Sequence, residues 1–207
     1  MRFYKILFFL VFIVFSNNSF SNQISNCNVL TEKYGKKFNL PNKLLTSISL
    51  VESGKKIGDK FVSWPWTLNV AGKSKFFKNK EETLVYLKKN YEKKKNIDIG
   101  CMQISLKYHG KEFDNLEHIL DPESNVEYGA KFLKSLFNRH KTWNEAISRY
   151  HSSIPQKKRG YLKKVQLFWS DLRQRKQYVD IGSNDEKQKK IEFFRKEFRK
   201  KKYSSEI

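Results

Sequence analysis

Glu52 stands in Ile48-Ser49-Leu50-Val51-Glu52-Ser53-Gly54, where an apolar helical run carries one acid just before a glycine stop. A carboxyl group placed where a hydrophobic helix opens into a loop is partly desolvated. That disfavours its charged form and raises its pKa towards a general acid useful at neutral pH. Such chemistry suits cleavage of a glycosidic bond. For an isolated Glu-Ser-Gly the plain alternative is a solvated acid at a frayed helix end. Three further segments bear on the choice: Ile99-Gly100-Cys101-Met102-Gln103-Ile104-Ser105, Asn125-Val126-Glu127-Tyr128-Gly129-Ala130, and Ala146-Ile147-Ser148-Arg149-Tyr150-His151-Ser152-Ser153. Ordinary glycosidases use two carboxylates. Glu52 is the carboxylate that reads as a catalytic acid here, while Asp59, Asp98, Glu117 and Asp121 read as loop, strand-flank or capping residues.

In order and rough spacing the four segments resemble the catalytic domain of the soluble lytic transglycosylases, glycoside hydrolase family 23. The resemblance runs from about Cys27 to Leu172. The stretch Trp64-Pro65-Trp66-Thr67-Leu68-Asn69-Val70 ahead of Gly100-Cys101-Met102-Gln103-Ile104 is similar to the proteobacterial exported branch of that family. Two positions depart from the usual pattern: Cys101 replaces a leucine, and His151 follows Tyr150 in place of an asparagine.

The resemblance implies a mainly helical, lysozyme-like α+β domain with Glu52 as its catalytic acid. It also implies sugar subsites lined by Gln103 and the backbone around Met102, with Tyr150 reaching the acid or the substrate's acetamido group. Ser53 is expected either to bind the muramyl group or to cap its helix. Since one carboxylate must serve twice, the implied reaction lets the substrate supply the nucleophile. The C6 hydroxyl of N-acetylmuramic acid attacks its own anomeric carbon and leaves a 1,6-anhydro sugar. A hydrolytic lysozyme-type muramidase and a non-catalytic peptidoglycan-binding scaffold are the competing functions.

The ends of the chain set its context. Arg2 and Lys5 precede the apolar run Ile6 to Phe15, and Ser19-Phe20-Ser21 offers small residues before a cleavage point. Residues 1–21 therefore read as a signal peptide, 22–172 as the catalytic domain and 173–207 as a basic, partly disordered tail. An uncleaved anchor competes, although the apolar run is short for a bilayer of about 30 Å. Export to the periplasm gives meaning to a chain whose two cysteines are Cys27 and Cys101, because an oxidising compartment permits their pairing. Two unrelated buried thiols are the alternative.

Among 207 residues, 42 bases face 21 acids, a formal net charge of +21. Most bases are lysines, which favours diffuse attraction over bidentate phosphate reading, so no nucleic acid partner is expected. The acidic partners in view are peptidoglycan, with its peptide carboxylates, and an anionic membrane surface. In the tail, Ile191, Phe193, Phe194 and Phe198 among lysines and arginines give either a basic amphipathic helix or a solvated segment. His109, His118, His140 and His151 lack metal-ligand spacing, so neither metal nor cofactor is expected.

These residues need elements to hold them. Cys27, Leu30, Tyr34 and Phe38 space as an amphipathic helix over about Ser25 to Asn39, and Pro41 opens a second helix ending at Glu52. Alternation around Gly72 predicts a β-hairpin between Phe61 and Phe77. Its Trp66, and less so Trp64, either offer a flat face to a sugar or pack inside, and the Asn69 amide can bond hydroxyls. Glu81 to Lys93 reads as a surface helix with Leu84, Val85 and Leu87 inward, and Ile97 to Ile104 as a short strand bringing Gln103 near the acid. Asp121-Pro122 starts a helix with a Val126, Ala130, Leu133, Phe137 stripe, and Thr142 to Glu145 forms a capping box before Tyr150. Tyr161, Val165, Phe168 and Leu172 line a last helix.

Overall fold

The structure, a computed structural model, describes the backbone of residues 18–93 and 96–182 and the side chains of 27–93 and 96–174. The expected signal peptide falls outside the described residues except for 18–21, whose backbone is helical. The basic segment Lys187 to Lys202 lies outside them entirely.

Helix α1 (Asn18–Lys37) begins before the segment the sequence marks out. It turns Cys27, Leu30 and Tyr34 into the core, and lysines 36 and 37 sit favourably against its C-terminal dipole. Helix α2 (Leu44–Ser53) starts three residues later than Pro41 suggests. Pro41 instead makes a turn in which the Leu44 amide donates to the Pro41 carbonyl, and Lys43 takes a left-handed conformation at φ 66°. Leu44, Leu45 and Ile48 are buried, and so are Ser47, Ser49 and Ser53. The serines are tolerated inside because each hydroxyl donates to a backbone carbonyl.

The β region is larger than one hairpin. Strands β1 (Gly54–Ile57) and β2 (Lys60–Ser63) pair antiparallel directly after α2, a hairpin the lysine-rich sequence does not announce. Strands β3 (Thr67–Val70) and β4 (Lys73–Phe76) form the expected hairpin, turning through Ala71 and Gly72, both at positive φ. They join β5 (Ile97–Ile99) and β6 (Ile104–Ser105) in an antiparallel sheet of order β4-β3-β5-β6. The Ile97 to Ile104 stretch is thus two strands around a tight turn. Leu68, Val70, Ile97, Ile99 and Ile104 face the core. Cross-strand pairing of Asn69 with Ser74 and Asp98, and of Asp98 with Ser105, puts a row of polar side chains on the opposite face.

Helix α3 (Lys80–Asn90) is capped by Asn79, whose side chain accepts from the Glu82 amide. It buries Thr83 and Leu87, while Val85 is 69% exposed, because residues 83 and 87 share a face that 85 does not. Short helices α4 (Leu106–His109) and α5 (Leu116–Leu120) lead to α6 (Pro122–His140). Asp121 caps α6 by accepting from the Ser124 amide, and Val126, Ala130 and Leu133 form its buried stripe with Phe137 partly buried. Helix α7 (Trp143–His151) has half of its capping box: Thr142 accepts from the Glu145 amide, but the Glu145 carboxylate pairs with Arg149 and Lys158. Helix α8 (Pro155–Gly182) runs past Leu172, beyond the expected domain end, and packs on α2 and α7. The core lies between these helices and the inner face of the sheet.

Candidate active site

The turn joining β5 to β6 sets the site. Gly100 at φ +78° lies against the Asn125 side chain, where an added Cβ would come within 2.7 Å of the amide nitrogen. Asn125 is fully buried and fixes the turn from inside. Its oxygen accepts from the Met102 amide at 2.9 Å, and its nitrogen donates to the carbonyls of Ile99 at 2.8 Å and Ile119 at 3.0 Å. Gln103 is held at φ 46°, and its side-chain amide donates to the carbonyls of Gly100 and Thr67 at 2.9 and 3.2 Å. Cys101, in the same turn, is bonded to Cys27 of α1 with Cα atoms 5.9 Å apart. The expected bridge is present.

Helix α2 brings the acid to this turn. The Ser53 hydroxyl donates to the carbonyls of Cys101 at 2.8 Å and Ser49 at 3.1 Å, and the Ser49 hydroxyl also reaches the Cys101 carbonyl at 3.0 Å. Ser53 is therefore a buried tie between α2 and the turn, engaged with backbone and shut off from solvent. Glu52, next to it, is partly buried, and its carboxylate accepts a 2.6 Å hydrogen bond from the Tyr161 hydroxyl of α8. The His151 ring stacks on Tyr161 at 4.7 Å and 6°. The Tyr150 hydroxyl donates to the Met102 carbonyl at 3.0 Å, so it braces the turn and not the acid.

The electrostatics follow from this packing. Burial pushes the Glu52 carboxyl up to about 7. The negative charge of Asp98 adds to that, while the Tyr161 hydrogen bond and the positive charge of Lys164 oppose it. Burial and the nearby Glu52 push the Tyr150 and Tyr161 hydroxyls well above the usual phenol range, so both remain donors. Burial also raises Asp98, against a hydrogen bond with Ser105. The His151 imidazole is lowered by burial and by Lys157 and Lys164. At neutral pH the arrangement supplies a carboxyl able to give a proton and then to take one back.

Of the residues singled out by sequence, Glu52, Met102, Gln103 and Tyr150 meet around the β5–β6 turn. Asn69 lies partly buried in the polar row of the sheet, beside Asp98. Trp64 and Trp66 stand inside, 1% and 6% exposed, with the Trp64 indole donating to the Phe77 carbonyl. Neither offers an open ring face. Two residues went unassigned from sequence. Tyr161 reads as one more apolar position on α8, and Asp98 as a strand flank, because their relation to Glu52 exists only after folding. Among the described residues no group of three or more His, Cys, Asp and Glu is gathered as metal ligands.

A family model, the transglycosylase SLT domain, matches residues 29–166, and the chain belongs to that family. Comparison with curated proteins and with solved structures gave no match.

Proposed function

We propose that this SLT-domain protein is a periplasmic lytic transglycosylase that cleaves the β-1,4 bond between N-acetylmuramic acid and N-acetylglucosamine. The observation that carries the reading is Glu52, a carboxyl raised to about 7 by burial and held by Tyr161 beside the Met102-Gln103 turn. Protonated Glu52 delivers its proton to the glycosidic oxygen as the bond from the anomeric carbon breaks. The C6 hydroxyl of the same muramyl residue bonds to that carbon, and the Glu52 carboxylate removes the hydroxyl proton. The acid is thereby restored and the product ends in a 1,6-anhydro ring. The turn's braces, Asn125 and Tyr150, keep Met102 and Gln103 in place for the sugar. A net charge of +21 supports a setting among the anionic surfaces of the envelope, wall or membrane.

One observation favours a hydrolytic muramidase as second reading: the carboxylate of Asp98 is close enough for its charge to raise Glu52. Asp98 would then take a proton from water as the water oxygen attacks the anomeric carbon. Digestion of purified sacculi in ¹⁸O water separates the two readings. Fragments with unlabelled anhydro ends, one water lighter than hydrolysis products, are expected. Mainly ¹⁸O-bearing reducing ends would make the protein a hydrolase, and intact sacculi would leave a binding scaffold.

A further inference from the structure

The last two residues of α7 reach different parts of the site. Tyr150 braces the Met102 carbonyl, and His151 lies on the phenol that holds the acid. The His151 and Tyr161 rings are 4.7 Å apart and 6° from parallel, a stack across the junction of α7 and α8. Tyr161 is 6% exposed whereas His151 is an exposed residue, so the imidazole covers one face of the phenol from the solvent side. An asparagine is usual at this position in the pattern that the chain resembles, and an asparagine amide is too small to cover a phenol ring. Lys157 and Lys164 of α8 act on the imidazole, while Asp98 of β5 and Lys164 act on Glu52.

A tyrosine hydroxyl lies on the long axis of its ring. Rotation about that axis leaves the hydrogen bond to Glu52 in place, and only a swing of the whole side chain breaks it. A second ring lying flat on the phenol bars the swing through the face it covers, and parallel aromatic rings attract one another as they pack. The geometry points to His151 as a positioning residue that holds Tyr161 against the Glu52 carboxylate. The inference rests on the reading of Glu52 as the acid of the proposed reaction. It gives the hydrogen bond on that acid a support of its own in α7, separate from the brace that Tyr150 supplies to the β5–β6 turn.

The test uses the full chain labelled with ¹³C at its glutamate carboxyls, the Glu52 signal being the one that Glu52→Gln removes. His151→Ala is expected to raise the pH at which that carboxyl titrates by up to about one unit, the pH equivalent of an aromatic pair. In a Tyr161→Phe background the same substitution is expected to raise it no further, because the hydroxyl it acts through is gone. His151→Phe keeps a ring on the phenol and is expected to titrate like wild type. A fall in both backgrounds, the result of merely admitting water to the carboxyl, overturns the proposal, and so does a rise that survives loss of the hydroxyl. A lower melting temperature with an unmoved titration would make His151 structural only and overturns it equally. In sacculus clearing, the alkaline limb of kcat/KM is expected to follow the carboxyl upward. A carboxyl that moves while the limb stays would remove Glu52 as the acid and leave the hold of His151 on Tyr161 standing.

Discussion

The hydroxyl of Tyr161 reaches across 109 residues of sequence to donate a 2.6 Å hydrogen bond to the carboxylate of Glu52. A donor on the carboxylate favours its ionised form, so Tyr161 works against the burial that raises Glu52, and Asp98 works with it. The two neighbours therefore pull the same titration in opposite directions.

Glu52 must be protonated to begin the reaction, so the alkaline limb of kcat/KM against pH follows its pKa. Tyr161→Phe is expected to move that limb to higher pH and Asp98→Asn to lower pH, read from sacculus clearing across pH 5–9. Shifts of the same sign in both variants would disconnect one of these residues from the acid.

Glu52→Gln is expected to lower turnover by at least roughly 10²–10⁴-fold, the usual worth of a general acid. It is also expected to make the fold more stable. Below pH 4.5 Glu52 is protonated in folded and unfolded chains alike. From 4.5 to about 7 only the unfolded chain ionises, so wild-type stability falls through that window. At roughly 1.4 kcal/mol per pH unit, the variant should gain on the order of 3–4 kcal/mol above pH 7 and nothing below 4.5. Denaturant melts at pH 4 and pH 8 check this, and a variant equally stable to wild type at pH 8 would show that burying the charge is not costly here.

Gly129→Ala probes the brace. A Cβ on Gly129 would stand 2.8 Å from Met102 Cγ and 3.1 Å from the Tyr150 hydroxyl. Overpacking of this kind costs about 1–3 kcal/mol. Because the displaced groups hold Met102, kcat/KM should drop further than thermal stability alone explains. Activity measured well below the variant's melting point separates the two effects.

What the sequence showed and what it hid divide by distance along the chain. The Asp121 cap, the α6 stripe, the Gly72 hairpin and the acid at the end of α2 were legible because each is specified within a few residues. Tyr161 and Asp98 were not, since an apolar position on α8 and a residue alternating along β5 acquire their roles only when α8 and the sheet close on α2. Val85 misled because its hydrophobicity is local while the inner face of α3 is set by Thr83 and Leu87. Trp66 stayed open in the sequence for the converse reason: its type fits a sugar platform and the core alike, and folding packs it inside, 6% exposed.

The Cys27–Cys101 bond closes a separation of 74 residues and fastens α1 to the turn that holds Gln103. The double serine variant is expected to lose about 2–5 kcal/mol. Thiol labelling should find neither sulfur free until the protein is unfolded and reduced, and labelling of denatured, unreduced protein would contradict the pairing.

The position of Tyr161 also orders events in time. Synthesis runs from α1 to α8, so Glu52 leaves the ribosome 109 residues ahead of its partner, a lag of roughly 5–20 s at ordinary elongation rates. Until α8 docks on α2 the carboxyl remains hydrated, with an ordinary pKa and an anionic form at neutral pH. Glu52 thus has no proton to give at neutral pH before α8 docks on α2, wherever the chain folds, and competence arrives in that one docking step.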